Sequence, residues 1–360
     1  MKPTQQLHDL GQSLWLDNIT RGLLDDGTIE GYIDTHSVTG LTSNPSIFDN
    51  AIKSGGYDEE IRAQAAKGLT NEEVFFSLAI ADLQRAADLF KPVHDRTDGV
   101  DGWVSLEVSP LLAYDTAKTV EWAKALHDRA DRANLFVKIP GTPEGLPAIE
   151  ESIASGVAVN VTLLFDVHQY LAAADAYLKG VERRIAAGLN PAVGCVASLF
   201  ISRWDTAVAG AVPDDLKNKL GLAVGFETYR AYRELMASDR FQCLANSGAR
   251  MQRLLWASTG TKDPDASDTL YVEGLASPFT VNTMPDSTLE AFYDHGVLGT
   301  PVPSDGGDHV ALLERFSKAG VDKGALALKL QDDGTTSFSS AWSELLSRID
   351  AQLANAKADS

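Results

Sequence analysis

The chain has 360 residues, of which 44% are hydrophobic and 22% are charged, and its formal net charge is −19. The hydrophobic fraction is ordinary for a globular protein and excludes disorder as the main state. The excess of Asp and Glu argues against nucleic-acid backbones or anionic membrane surfaces as partners, because both require clustered Lys and Arg. A small anionic substrate stays possible, since such a ligand responds to local charge.

The apolar runs along the chain are short and interrupted by polar residues. They predict neither a signal peptide nor a membrane-spanning segment, so we expect a cytoplasmic protein. The two cysteines, Cys195 and Cys243, are too few and too far apart for a disulfide scaffold or a zinc site. We expect both to be buried thiols.

Short apolar runs typical of buried strands alternate with longer segments of helical spacing. This alternation predicts a parallel sheet with helical crossovers, and eight units favour a closed (β/α)8 TIM barrel over an open doubly wound sheet. The predicted strands lie near Ser13–Ile19, Val38–Asn44, Trp103–Ser109, Leu135–Pro140, Ala158–Phe165, Ala192–Ile201, Arg253–Ser258 and Phe279–Thr283.

Capping residues and apolar periodicity predict the helices between these strands. We expect a single barrel domain over residues 1–360, with residues 306–360 as a C-terminal helical extension packed on the barrel. That extension is a candidate cover for the active-site face. The predicted helical features are a start capped by Thr70 and Glu73, a helix from Asp166 to Gly188, helices at Ala117–Arg132 and Pro213–Met236, and a tail at Asp308–Lys357 broken around Asp332–Thr336.

Active sites of (β/α)8 barrels lie at the carboxyl ends of the strands. Polar side chains at these positions are therefore candidate functional residues. In chain order they are Asp17 and Asn18; Thr42, Ser43 and Asn44; Glu107; Lys138; Asn160 and Thr162; Ser198 and Arg203; Ser258 and Lys262; and Asn282 and Thr283.

Lys138 stands out because it lies between apolar residues in Leu135–Pro140. An isolated buried ammonium is costly, so this lysine must be paired or neutral, and a neutral amine can form a Schiff base with a ketone. The alternative is a plain salt bridge or a side chain that reaches solvent. Two carboxylates in apolar runs, Glu107 and Asp17, would supply the proton transfers that Schiff-base chemistry needs.

Other chemistries find less support in the sequence. The glycine-rich phosphate and dinucleotide loops are absent, as are the H-E-x-x-H and G-x-S-x-G motifs. The seven histidines show no metal-ligand spacing. We therefore expect neither a metal nor a cofactor.

Three segments carry motifs that occur together in one family, and they are Gly40–Phe48, Leu135–Pro140 and Val159–Phe165. In that order they resemble the T-[ST]-N-P-[ST] signature, the Schiff-base lysine segment and the N-[VL]-T-L-[LI]-F motif of the transaldolase family. The match extends from about residue 10 to about residue 300, and Val281–Pro285 is similar to a longer, bacterial-type subgroup.

The resemblance implies a (β/α)8 barrel and a cofactor-free transfer of a dihydroxyacetone unit. The donor would be sedoheptulose 7-phosphate or fructose 6-phosphate, and the acceptor erythrose 4-phosphate or glyceraldehyde 3-phosphate, in the non-oxidative pentose phosphate pathway. It also implies roles for four catalytic residues. Lys138 attacks the donor ketone, Glu107 moves protons with Thr162 and a water, and Asp17 exchanges the proton of the hydroxyl beside the breaking bond.

The same resemblance implies substrate-binding residues. Asn44 and Asn160 would bind the hydroxyls of the three-carbon fragment, and Ser198 and Arg203 the phosphate. On strand 7 the family pattern of Ser followed closely by Arg is absent, so Ser258 and Lys262 are candidates for the second phosphate contact. Partners would be small sugar phosphates, and the chain would be a monomer or a homodimer.

Three alternatives remain open. A fructose 6-phosphate aldolase-like lyase shares the barrel and the lysine, but those relatives are shorter and carry Gln at the position of Glu107 and Tyr at the position of Phe200. A non-enzymatic sugar phosphate-binding barrel would not need Lys138, Asp17 and Glu107 together. A fused isomerase is disfavoured, because 360 residues leave no room for a second catalytic domain.

Overall fold

The computed structural model describes residues 1–65 and 67–358. Eight parallel strands form a closed barrel, in which each strand pairs with the next in chain order and the last pairs with the first. The predicted (β/α)8 TIM barrel is confirmed. The strands are β1 Ser13–Leu16, β2 Val38–Leu41, β3 Val104–Glu107, β4 Leu135–Pro140, β5 Val159–Leu164, β6 Cys195–Phe200, β7 Gln252–Ala257 and β8 Val281–Met284.

Each observed strand overlaps its predicted segment, and the differences lie at the ends. β1 ends at Leu16 rather than at Ile19, so Asp17 begins the loop at the carboxyl face. β8 begins at Val281, because Phe279 adopts a left-handed φ of 65° that a strand residue does not have.

Helices surround the barrel and connect its strands. Two short 3₁₀ segments, Pro110–Leu112 and Asp214–Leu216, add to them. The α-helices are α1 Pro3–Asp9, α2 Arg21–Asp25, α3 Thr28–Thr35, α4 Pro45–Lys53, α5 Asp58–Ala65, α6 Asn71–Arg96, α7 Thr116–Ala130, α8 Gly145–Ser155, α9 Val167–Ala186, α10 Ser202–Val208, α11 Leu220–Ala237, α12 Asp239–Asn246, α13 Leu270–Gly274, α14 Asp286–His295, α15 His309–Lys318 and α16 Lys323–Ala358.

The capping predictions are confirmed. At the start of α6, the Thr70 side chain accepts from the Glu73 amide, while the Glu73 carboxylate accepts from the Thr70 amide. Asp166 caps α9 by accepting from the Gln169 amide at 2.8 Å, and Gly188 follows the helix with a left-handed φ of 69°.

Two predictions in the second half of the chain are wrong. The helix expected from Pro213 starts only at Leu220, because the left-handed Asn218, with φ 59°, interrupts the helical backbone. Cys243 is exposed rather than buried. It lies on the short helix α12, whose buried face is formed by Phe241 and Leu244.

The predicted break around Asp332–Thr336 is also wrong, because α16 continues through it to Ala358. Residues spaced by three or four positions are buried along this helix, and they include Gly334 itself: Ala327, Gln331, Gly334, Phe338, Trp342, Leu345 and Ile349. Packing along this stripe outweighs the cost of a glycine in a helix interior, about 1 kcal/mol.

The last two helices pack on the rest of the molecule. α15 contacts α11, and α16 contacts α4, α5, α6 and β5. The buried carboxylate of Asp49 on α4 pairs with Arg348 of α16 at 2.8 Å. Every helix in the described part of the chain is too short or too polar to cross a lipid bilayer.

Candidate active site

Strand register brings the central polar residues together. Glu107 is opposite Lys138 in the β3–β4 pair, and Lys138 is opposite Asn160 in the β4–β5 pair. Since alternate residues of a strand point to the same side, three neighbouring strands each present one polar side chain at one level of the barrel. The adjacency of Glu107 and Lys138 expected from chain order is confirmed.

The Lys138 amine is buried in the barrel and does not extend into solvent. Its side chain is 7% exposed, and Nζ lies 3.5 Å from Glu107 Oε2. Nζ also donates to the Ser43 carbonyl at 3.2 Å and lies 5.8 Å from the centre of the Phe338 ring. A lysine held this way is positioned to react with a ligand that enters from the carboxyl face.

Glu107 is a buried carboxyl that can exchange protons near neutral pH. Burial raises its pKa to about 7, the Lys138 amine opposes the shift, and the Asp17 carboxylate adds to it. Neither carboxyl oxygen has a hydrogen-bond partner among the described residues. A carboxyl in this state can serve as acid or as base, because efficient proton transfer requires a pKa close to the working pH.

This raised pKa predicts a pH-dependent contribution to stability. Between the ordinary value of 4.5 and about 7, the folded protein keeps the Glu107 proton that the unfolded chain has lost. The contribution of this group therefore falls as pH rises through that window, and Glu107→Gln should remove the effect. The free energy of unfolding of the parent, minus that of Glu107→Gln, should fall by on the order of 3 kcal/mol in urea titrations from pH 4.5 to pH 8.

The matched control for this measurement is Glu121→Gln, since Glu121 is an exposed carboxylate on α7. The free energy of unfolding of the parent, minus that of Glu121→Gln, should stay constant across the same pH range. A flat difference for Glu107→Gln as well would contradict the raised pKa.

Asp17 lies across the site from Glu107. Its Oδ1 accepts from the Thr42 hydroxyl at 2.8 Å, and Thr42 contacts the Thr283 hydroxyl at 2.7 Å. Burial raises the pKa of Asp17, while the positive charge of Lys138 and the hydrogen bond from Thr42 lower it. Thr42 therefore holds Asp17 Oδ1 in place, and Thr283 in turn contacts Thr42.

The site opens into a cavity of about 140 Å³ at the carboxyl face of the barrel. It brings together residues from β1, β2 and β4–β8 and from the C-terminal helix α16. The side chains that line it include Asp17, Thr42, Asn44, Lys138, Thr162, Ser198, Phe200, Arg203, Ser258, Lys262, Thr283 and Phe338.

Two predicted residues that line this cavity, Asn44 and Thr162, each have a polar group without a hydrogen-bond partner among the described residues. Asn44 caps α4 through Oδ1, which accepts from the Ile47 amide at 3.1 Å, so its Nδ2 is the group left for a ligand. Thr162 is fully buried, and its hydroxyl has no hydrogen-bond partner among the described residues. A buried hydroxyl of this kind requires a partner from outside the chain.

Asn160, like Glu107, does not line the cavity. Its Nδ2 donates to Ser105 Oγ at 3.2 Å, and its Oδ1 accepts from Ser198 Oγ at 2.7 Å. The side chain is completely buried below the cavity. Asn160 therefore orients Ser198, which does line the cavity.

Cationic side chains lie on the side of the cavity formed by β6 and β7. The Arg203 guanidinium lies 5.1 Å from the centre of the Phe200 ring and 5.9 Å from that of Phe338, and it has no ion-pair or hydrogen-bond partner among the described residues. Burial lowers its pKa, and the carboxylate of Asp333 partly opposes this shift. Lys262 lines the same cavity but is exposed, so any charge it contributes is screened by solvent.

Ser258 directly follows β7 and lines the same cavity as these cations. It adopts a left-handed φ of 56°, and its Oγ lies 2.9 Å from Ser202 Oγ at the start of α10. The Ser202 amide donates to the Ser258 carbonyl at 3.0 Å. Ser258 and Arg203 therefore both belong to the wall of the cavity.

The sequence analysis named the C-terminal extension as a candidate cover for the active-site face, but it identified no residue of α16 at the site. Phe338 lines the cavity, and Gln331 donates from Nε2 to the carbonyls of Gly141 at 3.1 Å and Leu163 at 2.9 Å. The apolar stripe of the last helix signals a buried face, but it does not say which surface that face covers. The chain also holds no group of three or more His, Cys, Asp or Glu placed for a metal within the residues described.

The fold is a (β/α)8 barrel that holds a buried amine and two carboxylates at the carboxyl ends of its strands. The family model described as Transaldolase/Fructose-6-phosphate aldolase matches residues 14–349. The chain is 44% identical over 365 residues to a protein named Transaldolase from Arthrobacter sp. (strain FB24), covering 99% of this chain and 98% of that protein. It belongs to the transaldolase/fructose-6-phosphate aldolase family.

Other relatives show the same full-length similarity. A protein named Transaldolase from Thermobifida fusca is 45% identical over 362 residues, with 98% of each chain covered. One of the same name from Mycobacterium bovis is 42% identical over 354 residues, with 95% of each chain covered. The similarity therefore includes the C-terminal helices and is not confined to the barrel.

Proposed function

We propose that this chain is a transaldolase. It would transfer a dihydroxyacetone unit from sedoheptulose 7-phosphate or fructose 6-phosphate to glyceraldehyde 3-phosphate or erythrose 4-phosphate, in the non-oxidative pentose phosphate pathway. The main support for the proposal is the position of the buried Lys138 side chain. Its Nζ lies 3.5 Å from Glu107 Oε2, and the side chain lines the cavity. The relatives named Transaldolase support it over their full length.

The first step is Schiff-base formation. After Lys138 passes a proton to Glu107, its amine attacks the donor ketone carbon, and a second amine proton moves through water to the carbonyl oxygen to give a carbinolamine. Glu107, with a pKa of about 7, can accept the proton that the amine loses and return it to the departing hydroxyl. Water leaves and the imine forms, with the unpartnered hydroxyl of Thr162 holding the water that relays these protons.

The second step is cleavage of the carbon–carbon bond. Asp17 takes the proton of the donor hydroxyl next to the breaking bond, the aldose leaves, and the bonding electrons pass into the imine to form an enamine. The enamine then attacks the acceptor aldehyde, and Asp17 returns the proton to the new hydroxyl. The bond from Thr42 keeps Asp17 oriented through both halves of the cycle.

The remaining residues would bind the substrate. Asn44 Nδ2 is free to contact a hydroxyl of the three-carbon fragment. Asn160 would act through Ser198, because Ser198 Oγ donates to Asn160 Oδ1 at 2.7 Å. Arg203 would bind the phosphate with its planar fork, while Ser258 and Lys262 would add weaker contacts at the rim. A local cationic group suffices for an anionic substrate on a chain of net charge −19, because distant surface charges are screened.

Arg203→Ala should raise the KM for fructose 6-phosphate by roughly 10- to 100-fold, the cost of one charge-assisted contact to phosphate. The effect should be much smaller with unphosphorylated dihydroxyacetone as the donor, because that substrate lacks the phosphate. Steady-state kinetics with both donors measure the difference. Equal losses for the two donors would assign Arg203 to the fold rather than to phosphate binding.

The decisive test of the proposed function separates transfer from simple cleavage. Purified protein is incubated with fructose 6-phosphate, with or without erythrose 4-phosphate, and both sedoheptulose 7-phosphate and free dihydroxyacetone are quantified. A transaldolase forms the seven-carbon product and releases little dihydroxyacetone. Rapid release without acceptor would instead indicate a fructose 6-phosphate aldolase-like lyase, and no turnover of either kind would indicate a binding protein.

We further propose that the protein acts in the cytoplasm as a monomer or a homodimer, with sugar phosphates rather than nucleic acid as its ligands. The chemistry above uses side chains alone, so it requires neither a metal nor a cofactor. The proposed domain organisation is a single barrel over residues 1–360 that includes the C-terminal extension 306–360. The contacts of α16 with α4, α5 and α6 support that arrangement.

A further inference from the structure

One face of α16 lies directly over the proposed active site. It consists of Gln331, Gly334 and Phe338, which recur at intervals of three and four residues and are all buried. We call these three residues the α16 contact face. We propose that the α16 contact face positions Arg203 for the phosphate of the substrate and keeps bulk water away from Lys138, so that the three-carbon unit is transferred rather than released. This inference rests on the proposed function.

Gln331 connects α16 to β4 and β5, the strands of Lys138 and Thr162. Its amide donates to the carbonyl of Gly141, directly after β4, and to that of Leu163 in β5. Leu163 has a left-handed φ of 59°, and the β5–β6 register is irregular between Val161 and Leu164. The Leu163 carbonyl thus lies where the ladder is disrupted, and the helix supplies a donor for it.

Gly334 allows the helix to approach Arg203 closely. A methyl group at this position would lie 2.9 Å from Leu163 Cδ2 and 3.2 Å from Arg203 Nη1. Both contacts are tighter than side chains normally make, so the guanidinium would have to move by a few tenths of an ångström. Helix propensity alone would favour alanine here by about 1 kcal/mol, so the glycine is explained by this approach.

Phe338 closes the cavity above the reacting groups. Its ring lies 5.8 Å from Lys138 Nζ and 5.9 Å from the Arg203 guanidinium, and its centre is 6.5 Å from that of Phe200. An apolar ring in this position separates the amine from bulk water. During catalysis it would keep water from protonating the enamine and hydrolysing the resulting imine, which would free the amine and release dihydroxyacetone.

The test compares Gly334→Ala with Gly324→Ala, a matched change near the start of the same helix. A methyl group at position 324 would meet only a side-chain oxygen of Asp322, at 3.6 Å. Gly334→Ala should raise both the KM for fructose 6-phosphate and the inhibition constant of inorganic phosphate roughly fivefold, with kcat within about twofold of the parent. Gly324→Ala should match the parent in all three quantities, and thermal unfolding should show both variants folded.

A second comparison tests the exclusion of water. Phe338→Ala should increase the ratio of free dihydroxyacetone to transferred product severalfold, measured with both donor and acceptor present. Phe316→Ala removes a similar buried ring from α15, outside the cavity, and should leave the ratio unchanged.

The outcomes separate this inference from the proposed function. If the parent transfers the three-carbon unit but Gly334→Ala keeps parental KM and phosphate inhibition, positioning by the α16 contact face is wrong. If Phe338→Ala keeps the parental product ratio, water exclusion is wrong. A parent that forms no seven-carbon product would instead contradict the proposed function.

Discussion

Lys138→Ala should abolish turnover, with kcat at least about 10⁴-fold below the parent, because the other lysine that lines the cavity, Lys262, is exposed and is not buried beside Glu107 as Lys138 is. Borohydride added with fructose 6-phosphate should reduce the imine of the parent to a stable secondary amine. Peptide mapping should then find a three-carbon adduct on Lys138. The variant should carry no adduct.

Two controls make this result specific. Lys138→Met keeps a long side chain in the buried position, so a loss of activity in both variants cannot come from a cavity alone. Lys118→Ala removes an exposed lysine of α7, whose side chain is 65% exposed, and should retain activity and the adduct. Turnover by Lys138→Ala, or an adduct on another lysine, would contradict the Schiff-base role.

Asp17→Ala should lower kcat by roughly 10²- to 10⁴-fold, the usual contribution of a positioned general base. Imine formation depends on Lys138 and Glu107, so it should continue in this variant. Borohydride should therefore trap the intact six-carbon donor on Lys138, whereas the parent yields the three-carbon fragment. The mass of the adduct reports which step has stopped.

Asp17→Asn provides the sharper comparison. Its side-chain oxygen can still accept the bond from Thr42, so the loop geometry is preserved while the base is removed. Asp34→Ala, an exposed change on α3, should behave like the parent. A three-carbon adduct at the parental rate in Asp17→Asn would show that Asp17 is structural.

Both predictions depend on residues that local patterns already identify. Lys138 lies in an apolar strand and Glu107 ends the preceding one, so the chain order of a parallel barrel makes them neighbours. Asp17, Asn44 and Thr162 follow from the same rule for strand ends. This part of the site is predictable because parallel register and alternation of side chains are local properties repeated around the barrel.

The features that local patterns did not decide share another origin. Cys243 is exposed because neighbouring apolar residues of α12 occupy its buried face, and the orientation of a short helix depends on what it packs against. Asn160 is at the predicted level of the barrel, but Ser105 and Ser198 use its amide. Which polar groups find partners inside the molecule depends on distances across several strands, which no local pattern contains.

The amino-acid order by itself determined the eight-stranded barrel and the level at which a lysine and a carboxylate meet, since both follow from periodicity and strand succession. Only the tertiary structure decided which residues of the C-terminal helix cover the lysine and the carboxylate. Gly334 suggests a helix break when viewed alone, yet it is the residue that lets α16 approach Arg203 and bring Phe338 over Lys138. The physical reason is that the helix propensity of one glycine costs about 1 kcal/mol, whereas the stabilisation from packing is the sum over all residues of a long buried stripe.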